Sequence, residues 1–560
     1  MDSAMQSGVG IGTLDWIVIG AYFAAVVAIA IWAIRRERRG EETSADYFLA
    51  GRNIGWFVVG ASLFASNIGS EHLVGLAGTG ASSGLVMGQL ELQASLILLL
   101  LGWLFVPFYI KSGVFTMPEF LERRYSPAAR WYLAVVAVIG YVLTKISVTI
   151  YAGGIVIESL TGFSFWTGAI VIVVITGIYT VLGGLRAVVY TDLMQAIVLL
   201  VGAAIVTILG LSRLGGWGAM VELAEPDFFN IWKSASHPDF PWTGMVFGAP
   251  IIAIWYWCTD QFIVQRTLSA RGIDDARRGT IFAGYLKQLP LFVFLLPGVI
   301  AYCLAKTGEI DLATPDAALP TLVAALLPAG LRGLVVADLI AALMSSLSSV
   351  FNSCSTLITL DIYKKIKPDA SERRLVLVGQ GATVLLVFLG IAWIPVMANI
   401  SGVLYQYLQS VQAYISPPIA AVFLLGLFSA RINATGAMAS LISGFVLGMG
   451  RIALELMKDD LSGVLYTFAT INFLNFAAIL FLVCSGILVI VSMLTAPPPE
   501  EKVRGLTFAT AGEAVAGVPE AEQARAISDP TWRRRDALFS GITIVLVGLV
   551  MIFFSSLFFH

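Results

Sequence analysis

Charge is what this sequence has least of. Asp, Glu, Lys and Arg make up 12% of its 560 residues, against ~25% in ordinary soluble domains. With 58% of residues hydrophobic, the chain cannot surround itself with a water-compatible surface, and it reads as a polytopic membrane protein. A net charge of −2 leaves no basic excess for nucleic acid. Histidine and cysteine are scarce, with 3 and 4 residues. Cys258, Cys303, Cys354 and Cys484 lie in or beside apolar runs without zinc-type spacing. They read as buried small hydrophobes rather than disulfides or metal ligands. No nucleophile–base pair or metal motif stands in the polar segments, so an enzyme is not expected.

Long polar stretches are missing too, with one exception. Residues 496–533, rich in Pro, Glu, Ala and Gly, lack periodicity and read as a flexible tether. A spanning helix needs ~20 apolar residues, and the apolar runs supply about fourteen spans on that basis. Their centres fall near residues 24, 68, 98, 145, 174, 198, 255, 290, 348, 385, 415, 443, 482 and 547. The first run, 15–34, is full length, and Arg35-Arg36-Glu37-Arg38-Arg39 follows it, which reads as a span rather than a cleavable leader. Basic residues stay on the cytoplasmic side. This predicts a multi-pass protein of the cell membrane (plasma or inner) with both termini outside. Odd-numbered loops then hold Lys111 with Arg123-Arg124, Arg186, Arg266 with Arg271 and Arg277-Arg278, Lys364-Lys365-Lys367, Arg431 and Arg533-Arg534-Arg535, while Arg213, Lys233 and Lys306 are exceptions on even loops.

Two spans are unlike the rest. The stretch from Gly60 to Gly80 carries Asn67, Ser70, Glu71 and His72 at mid-depth among glycines. The stretch Ile254-Trp255-Tyr256-Trp257-Cys258-Thr259-Asp260-Gln261 is similarly polar. Polar, loosened segments survive at membrane depth only when buried in protein or lining a cavity. Each opens a group of five spans, and an odd number inverts the second group, the pattern of a transporter with a midplane site. The predicted divisions are an extra helix and basic loop at 1–50, a first repeat at 51–212, an outer loop at 213–242, a second repeat at 243–430, peripheral helices at 431–495, the linker at 496–533 and a last helix at 534–560.

Other polar groups at membrane depth are Glu91, Lys287, Gln409 and Gln412, with Tyr405 and Tyr407 nearby. A charge at the bilayer centre costs ~2.5–3.5 kcal/mol. Glu91 and Lys287 therefore either fix helix packing as a buried pair or also bind a polyhydroxylated solute. His72 alone also fits a satisfied interior histidine, and Tyr256 fits packing. Ala342, Ser345, Ser346 and Ser349 form one stripe at helical spacing. Small hydroxyl residues serve as interhelical glue; alternatively, with carbonyls freed near Ala65 and Ile68, they make a sodium site. Asp192 either pairs with Arg186 or a helix end, or joins Ser345, Ser348 and Ser349 in a second cation site.

These residues resemble the sodium/solute symporter family, most nearly its sodium/glucose cotransporter branch. The matching strings are Gly60 to Gly80, Gly102-Trp103-Leu104-Phe105-Val106-Pro107, Thr116-Met117-Pro118-Glu119, Gly183 to Gln195, Trp255 to Arg266, Ser345 to Tyr363 and Ser416 to Leu425. The resemblance implies an all-α protein of about fourteen helices around a five-plus-five inverted-repeat core with discontinuous first helices, of the LeuT kind. It implies sugar binding by Asn67, His72, Glu91, Tyr256, Trp257, Lys287 and Gln409. It implies a main sodium site from the carbonyls of Ala65, Ile68 and Ala342 with the hydroxyls of Ser345 and Ser346. A second sodium site would use Asp192, Ser348 and Ser349 with Ser345. Tyr256 is the implied inner gate, and Leu76, Leu90 and Tyr405 lie on the outer side. Leu90 replaces an aromatic, Leu92 and Gln93 replace Trp and Asn, and Ala253 replaces a polar residue of the sugar carriers. Glu71 resembles inositol-carrying relatives, which have an acid where Ser346 stands here. The expected partners are a small sugar, sodium ion and membrane lipid. The alternatives are a symporter for inositol or another polyol, or a non-transporting sugar sensor or sodium channel.

Overall fold

The computed structural model describes residues 11–36, 48–69, 71–161, 163–312, 314–398 and 404–559. These residues are helical apart from turns and one isolated bridge between Ile54 and Ala270. Helices satisfy their own backbone polar groups, as an apolar solvent demands. Among the described residues ten helices are long and apolar enough to cross a membrane. They contain ten of the expected span centres. The other four fall in shorter or interrupted helices: Thr13–Ile29, Trp56–Asn67 with its break, Phe165–Ile178 and Trp255–Thr259. The helices nearest the C-terminus expose apolar faces; Leu482, Val446 and Leu538 are more than half exposed, as suits contact with lipid.

The fifth and sixth expected spans form one helical run, Phe165–Leu214, of 50 residues. Drawn straight it would reach ~75 Å, over twice the ~30 Å hydrocarbon thickness. It doubles back instead. Phe163 lies against Trp16 near the start of Thr13–Arg36, and Tyr190 lies against Trp32 near its end. Gly202 then returns to Val335, close to Gly333, whose amide is held by Asp15.

Both polar spans are broken. The helix Trp56–Asn67 stops at Ile68, which is extended at φ −77 and ψ 100. A widened turn, Glu71–Leu76, follows, and then Ala77–Ser83. In the second, Ala249–Ile254 runs into a widened turn, Trp255–Thr259; Asp260 is extended at φ −77 and ψ 126, and Gln261–Leu268 resumes the helix. Asp260 caps that restart by accepting from the Phe262 amide at 3.2 Å. The first interrupted span packs backbone to backbone on the helical run Leu291–Lys306. A Cβ on Gly80 would lie 2.2 Å from the Leu295 carbonyl oxygen, and one on Gly298 would lie 2.1 Å from that of Ala77. Only glycine permits this approach.

The serine-bearing helix, Leu331–Thr356, is buried almost throughout and packs against Phe165–Leu214 and Trp56–Asn67. The outer loop expected at 213–242 carries the short helices Trp217–Leu223 and Pro226–Phe229. All four cysteines are buried and free.

Residues 496–533, expected to hang as a flexible tether, form a strap packed on the bundle. Lys502 Nζ donates to the Glu122 carbonyl at 3.0 Å, and Lys111 Nζ donates to the Ala511 carbonyl at 2.6 Å. The Ile273 amide donates to the Arg525 carbonyl at 2.9 Å. Phe508 sits between Phe108 and Phe428. The strap lacks periodicity because its backbone closes only short turns, such as Glu500–Lys502, Phe508–Thr510 and Glu520–Ala524.

Candidate functional site

The first break brings Asn67 and His72 to face Glu91, on the helix Gly88–Leu100, and Lys287, at the end of Ile273–Leu286. Lys287 Nζ donates to Glu91 Oε2, donates to Asn67 Oδ1 at 2.5 Å and stands 3.2 Å from His72 Nε2. His72 Nε2 is 3.3 Å from Glu91 Oε1. Asn67 Nδ2 donates to the Tyr256 hydroxyl at 3.0 Å, which ties the first break to the second. The Lys287 ammonium also lies 5.6 Å from the Trp257 ring centroid. His72 Nδ1 is buried without a partner, so one hydrogen-bonding position of the cluster stays unfilled.

These groups line one cavity, together with Gln409, Gln412 and an apolar side made by Leu90, Ala253 and Leu474. All seven residues expected at the solute site line it. Of the expected gates, Tyr256 and Leu90 line it, while Leu76 is buried in the widened turn behind. Ser70 and the side chains of Glu71, Tyr405 and Tyr407 lie outside the described residues.

One residue along from Asn67, the Ile68 carbonyl points to the serine helix. Ser346 Oγ stands 3.4 Å from the carbonyl oxygens of both Ile68 and Ser66. Two oxygens at right angles around a hard cation, each at ~2.4 Å, are ~3.4 Å apart. The donor set and its spacing therefore fit a sodium ion. The carbonyl beside Ser346 is that of Ser66, next in sequence to the expected Ala65.

The Asp192 cluster differs from expectation. Asp192 accepts from Ser62 at 2.7 Å, Ser66 at 3.0 Å and Ser345. Ser345 Oγ is thus turned to Asp192, away from Ser346. Ser348 Oγ donates to the Ser345 carbonyl of its own helix at 2.9 Å rather than to Asp192. Ser349 accepts from Arg266, whose Nη2 is 3.8 Å from Asp192 Oδ2. Arg266 is fully buried. It is no loop cation, because the restarted helix Gln261–Leu268 carries it into the core. Its one sequence signal is its place six residues after Asp260 in a polar interrupted span. Lys145 was likewise missed; its Nζ pairs with Asp260 Oδ2 at 3.2 Å. Among the described residues no group of three or more His, Cys, Asp or Glu could hold a metal ion.

The model of the sodium:solute symporter family matches residues 47–444. Sodium/glucose cotransporter 1 of Ovis aries is 41% identical over 530 residues, 86% of this chain and 79% of that protein. Sodium/glucose cotransporter 4 of Homo sapiens is 39% identical over 548 residues, 90% of this chain and 80% of that protein. Among solved structures, a Na+-coupled sialic acid symporter in a substrate-bound outward-open state matches with a TM-score of 0.75 at 23% identity, over 87% of this chain and 99% of that one. Mhp1, a nucleobase-cation-symport-1 family transporter, matches with a TM-score of 0.52 at 14% identity over the same shares. At these identities the two show the fold that this chain shares. With a family match over most of the chain, and relatives about 40% identical along it, the chain belongs to the sodium:solute symporter family.

Proposed function

We propose that the protein carries a hexose of the glucose or galactose type into the cell, coupled to sodium, by alternating access. The observation that carries this reading is the Glu91–Lys287–His72–Asn67 cluster facing Trp257 and Gln409 across one cavity. Carboxylate, ammonium, imidazole and amide groups bond vicinal hydroxyls, and an indole packs on the apolar face of a pyranose. Relatives named sodium/glucose cotransporters support the same solute class.

Sodium is read as bound by the Ile68 and Ser66 carbonyls and Ser346, with Ala65, Ala342 and Ser345 completing the shell once Ser345 turns from Asp192. A second sodium beside Asp192, Ser348 and Ser349 has to displace Arg266, so that site forms only when the pair opens. The outer side closes near Leu90 and Leu76, and Tyr256 moves to release solute inward. Lys111, Arg123, Lys364 and the strap lie on the cytoplasmic side, with both termini outside.

The test is uptake of radiolabelled hexoses into proteoliposomes with and without a sodium gradient. Sodium-dependent accumulation of glucose or galactose is expected. Uptake driven by protons, or by no ion, overturns the cation assignment. Preference for inositol over every hexose overturns the solute assignment.

A further inference from the structure

We propose a second sugar-binding station, on the exit side of Tyr256, in a cavity that the solute site does not include. It rests on the hexose reading above.

This cavity is narrow and is lined by Lys145, Asp260, Trp255, Gln412, Val411 and Met117 among others. Tyr256 separates it from the first cavity: the phenol faces Asn67 on one side, and Lys145 Nζ lies 4.2 Å from the ring centroid on the other. Met117 opens the short helix that bears Arg123 and Arg124, which sets the cavity toward the basic side of the bundle.

The chemistry of the first site is repeated here. Lys145 Nζ pairs with Asp260 Oδ2 at 3.2 Å, both nearly fully buried, as Lys287 pairs with Glu91. Trp255 supplies an indole, as Trp257 does, and Gln412 an amide, as Gln409 does. A buried ion pair that served packing alone gains little over apolar side chains of the same volume. Next to an indole and an amide in a cavity, the pair is the hydrogen-bonding partner of a hydroxylated ligand.

Gln412 is the second observation. It is 7% exposed, lines both cavities, and has no hydrogen bond to any described residue. Its amide opens onto the cavities, and a ligand passing between them supplies hydrogen-bonding partners that the chain does not. Gln412 stands three residues from Gln409, one turn further along the same helix face. A sugar leaving Gln409 as Tyr256 swings aside meets Gln412 first, then Lys145 and Asp260. Asp260 already accepts from the Phe262 amide, so the station binds more weakly than the first site.

The experiment is equilibrium binding of labelled glucose or galactose to the purified full chain in nanodiscs with sodium, beside zero-trans efflux. Two components are expected in the wild type. Asp260→Asn retains a good helix cap. It should weaken the second component at least tenfold, leave the first within twofold, and lower the maximal efflux rate without changing the half-saturation for uptake. Val411→Phe fills the second cavity and should act the same way, which keeps the test open should Asp260→Asn fold poorly. A single tight component, or a weak component that survives both substitutions, overturns the second station alone. Absence of all hexose binding overturns the hexose reading with it.

Discussion

The Glu91–Lys287 pair offers a direct test of whether a buried charge serves solute or packing. Lys287 is 1% exposed and Glu91 6%. Lys287→Met strands Glu91 with His72 alone and leaves Asn67 Oδ1 without its ammonium donor. Removing one member of a buried ion pair costs ~3–5 kcal/mol. Combining it with Glu91→Gln removes the stranded charge, so most of that loss should return. The double variant should then melt within ~1 kcal/mol of wild type, since apolar or neutral replacement of a buried pair is often near neutral. Sugar binding must not recover with it. Each charge-assisted hydrogen bond is worth ~1.5–3 kcal/mol, and ~1.4 kcal/mol is a factor of ten. Sugar affinity should therefore fall about ten- to hundred-fold in both single variants and further in the double. The sodium half-saturation, read at saturating sugar, should stay within threefold, because Ser346 and Ile68 are untouched. Thermal melting in detergent and hexose competition binding give the two readouts. A double variant with restored stability and unimpaired sugar affinity would refute the reasoning, since the pair would then serve packing only.

Ser346→Ala should raise the sodium half-saturation tenfold or more in uptake assays, with a smaller effect on sugar affinity at saturating sodium. Ser348→Ala should lower the charge-to-sugar ratio in proteoliposome current measurements while transport persists; an unchanged ratio removes the second cation site. Gly80→Val places a Cβ 2.2 Å from the Leu295 carbonyl oxygen and should destabilise the chain by at least ~1–3 kcal/mol through overpacking, read as a lower melting temperature. Arg525→Ala deletes bonds to the Ala270 and Arg271 carbonyls and to Glu522. It should speed tryptic cleavage at the exposed Arg504 severalfold; an unchanged rate means that the strap is held elsewhere.

Much of the site was legible because a polar group in a membrane is expensive, and an expensive residue has few uses. Asn67, His72, Glu91, Lys287 and Gln409 stand out against apolar neighbours, and all of them line one cavity. The breaks were legible for the same reason, since glycine and polar side chains together cannot make a lipid-facing rod. Arg266 was hidden by its neighbours: Arg271, Arg277 and Arg278 follow closely, and a run of cations looks like a loop. The position of its guanidinium depends on the helix restarting at Gln261, which rests on the Asp260 cap. The direction of the Ser348 hydroxyl is a rotamer, which composition and spacing do not encode. The doubling back within Phe165–Leu214 is a tertiary fact, visible only from what Trp16, Trp32 and Val335 touch. The strap was misread because its turns are too short to give a period and its anchors, such as Lys502 on Glu122, are tertiary contacts.

The two halves of the proposed site meet at two successive residues. The Asn67 side chain belongs to the solute cluster, and the carbonyl of the next residue, Ile68, faces Ser346. A cation that draws in the Ile68 and Ser66 carbonyls fixes the backbone on both sides of Asn67, and so fixes the amide that bridges Lys287 and Tyr256. Sugar seated on Asn67 holds the same backbone from the other side. The coupling is then reciprocal by linkage: the factor by which sodium tightens sugar equals the factor by which sugar tightens sodium. One sodium crossing ~100 mV down a tenfold gradient releases ~3.7 kcal/mol, enough for a solute ratio of a few hundred. That energy reaches the solute only if sugar rarely crosses alone. The Asn67–Tyr256 hydrogen bond meets this need, because it ties the proposed inner gate to the same side chain that sodium orders.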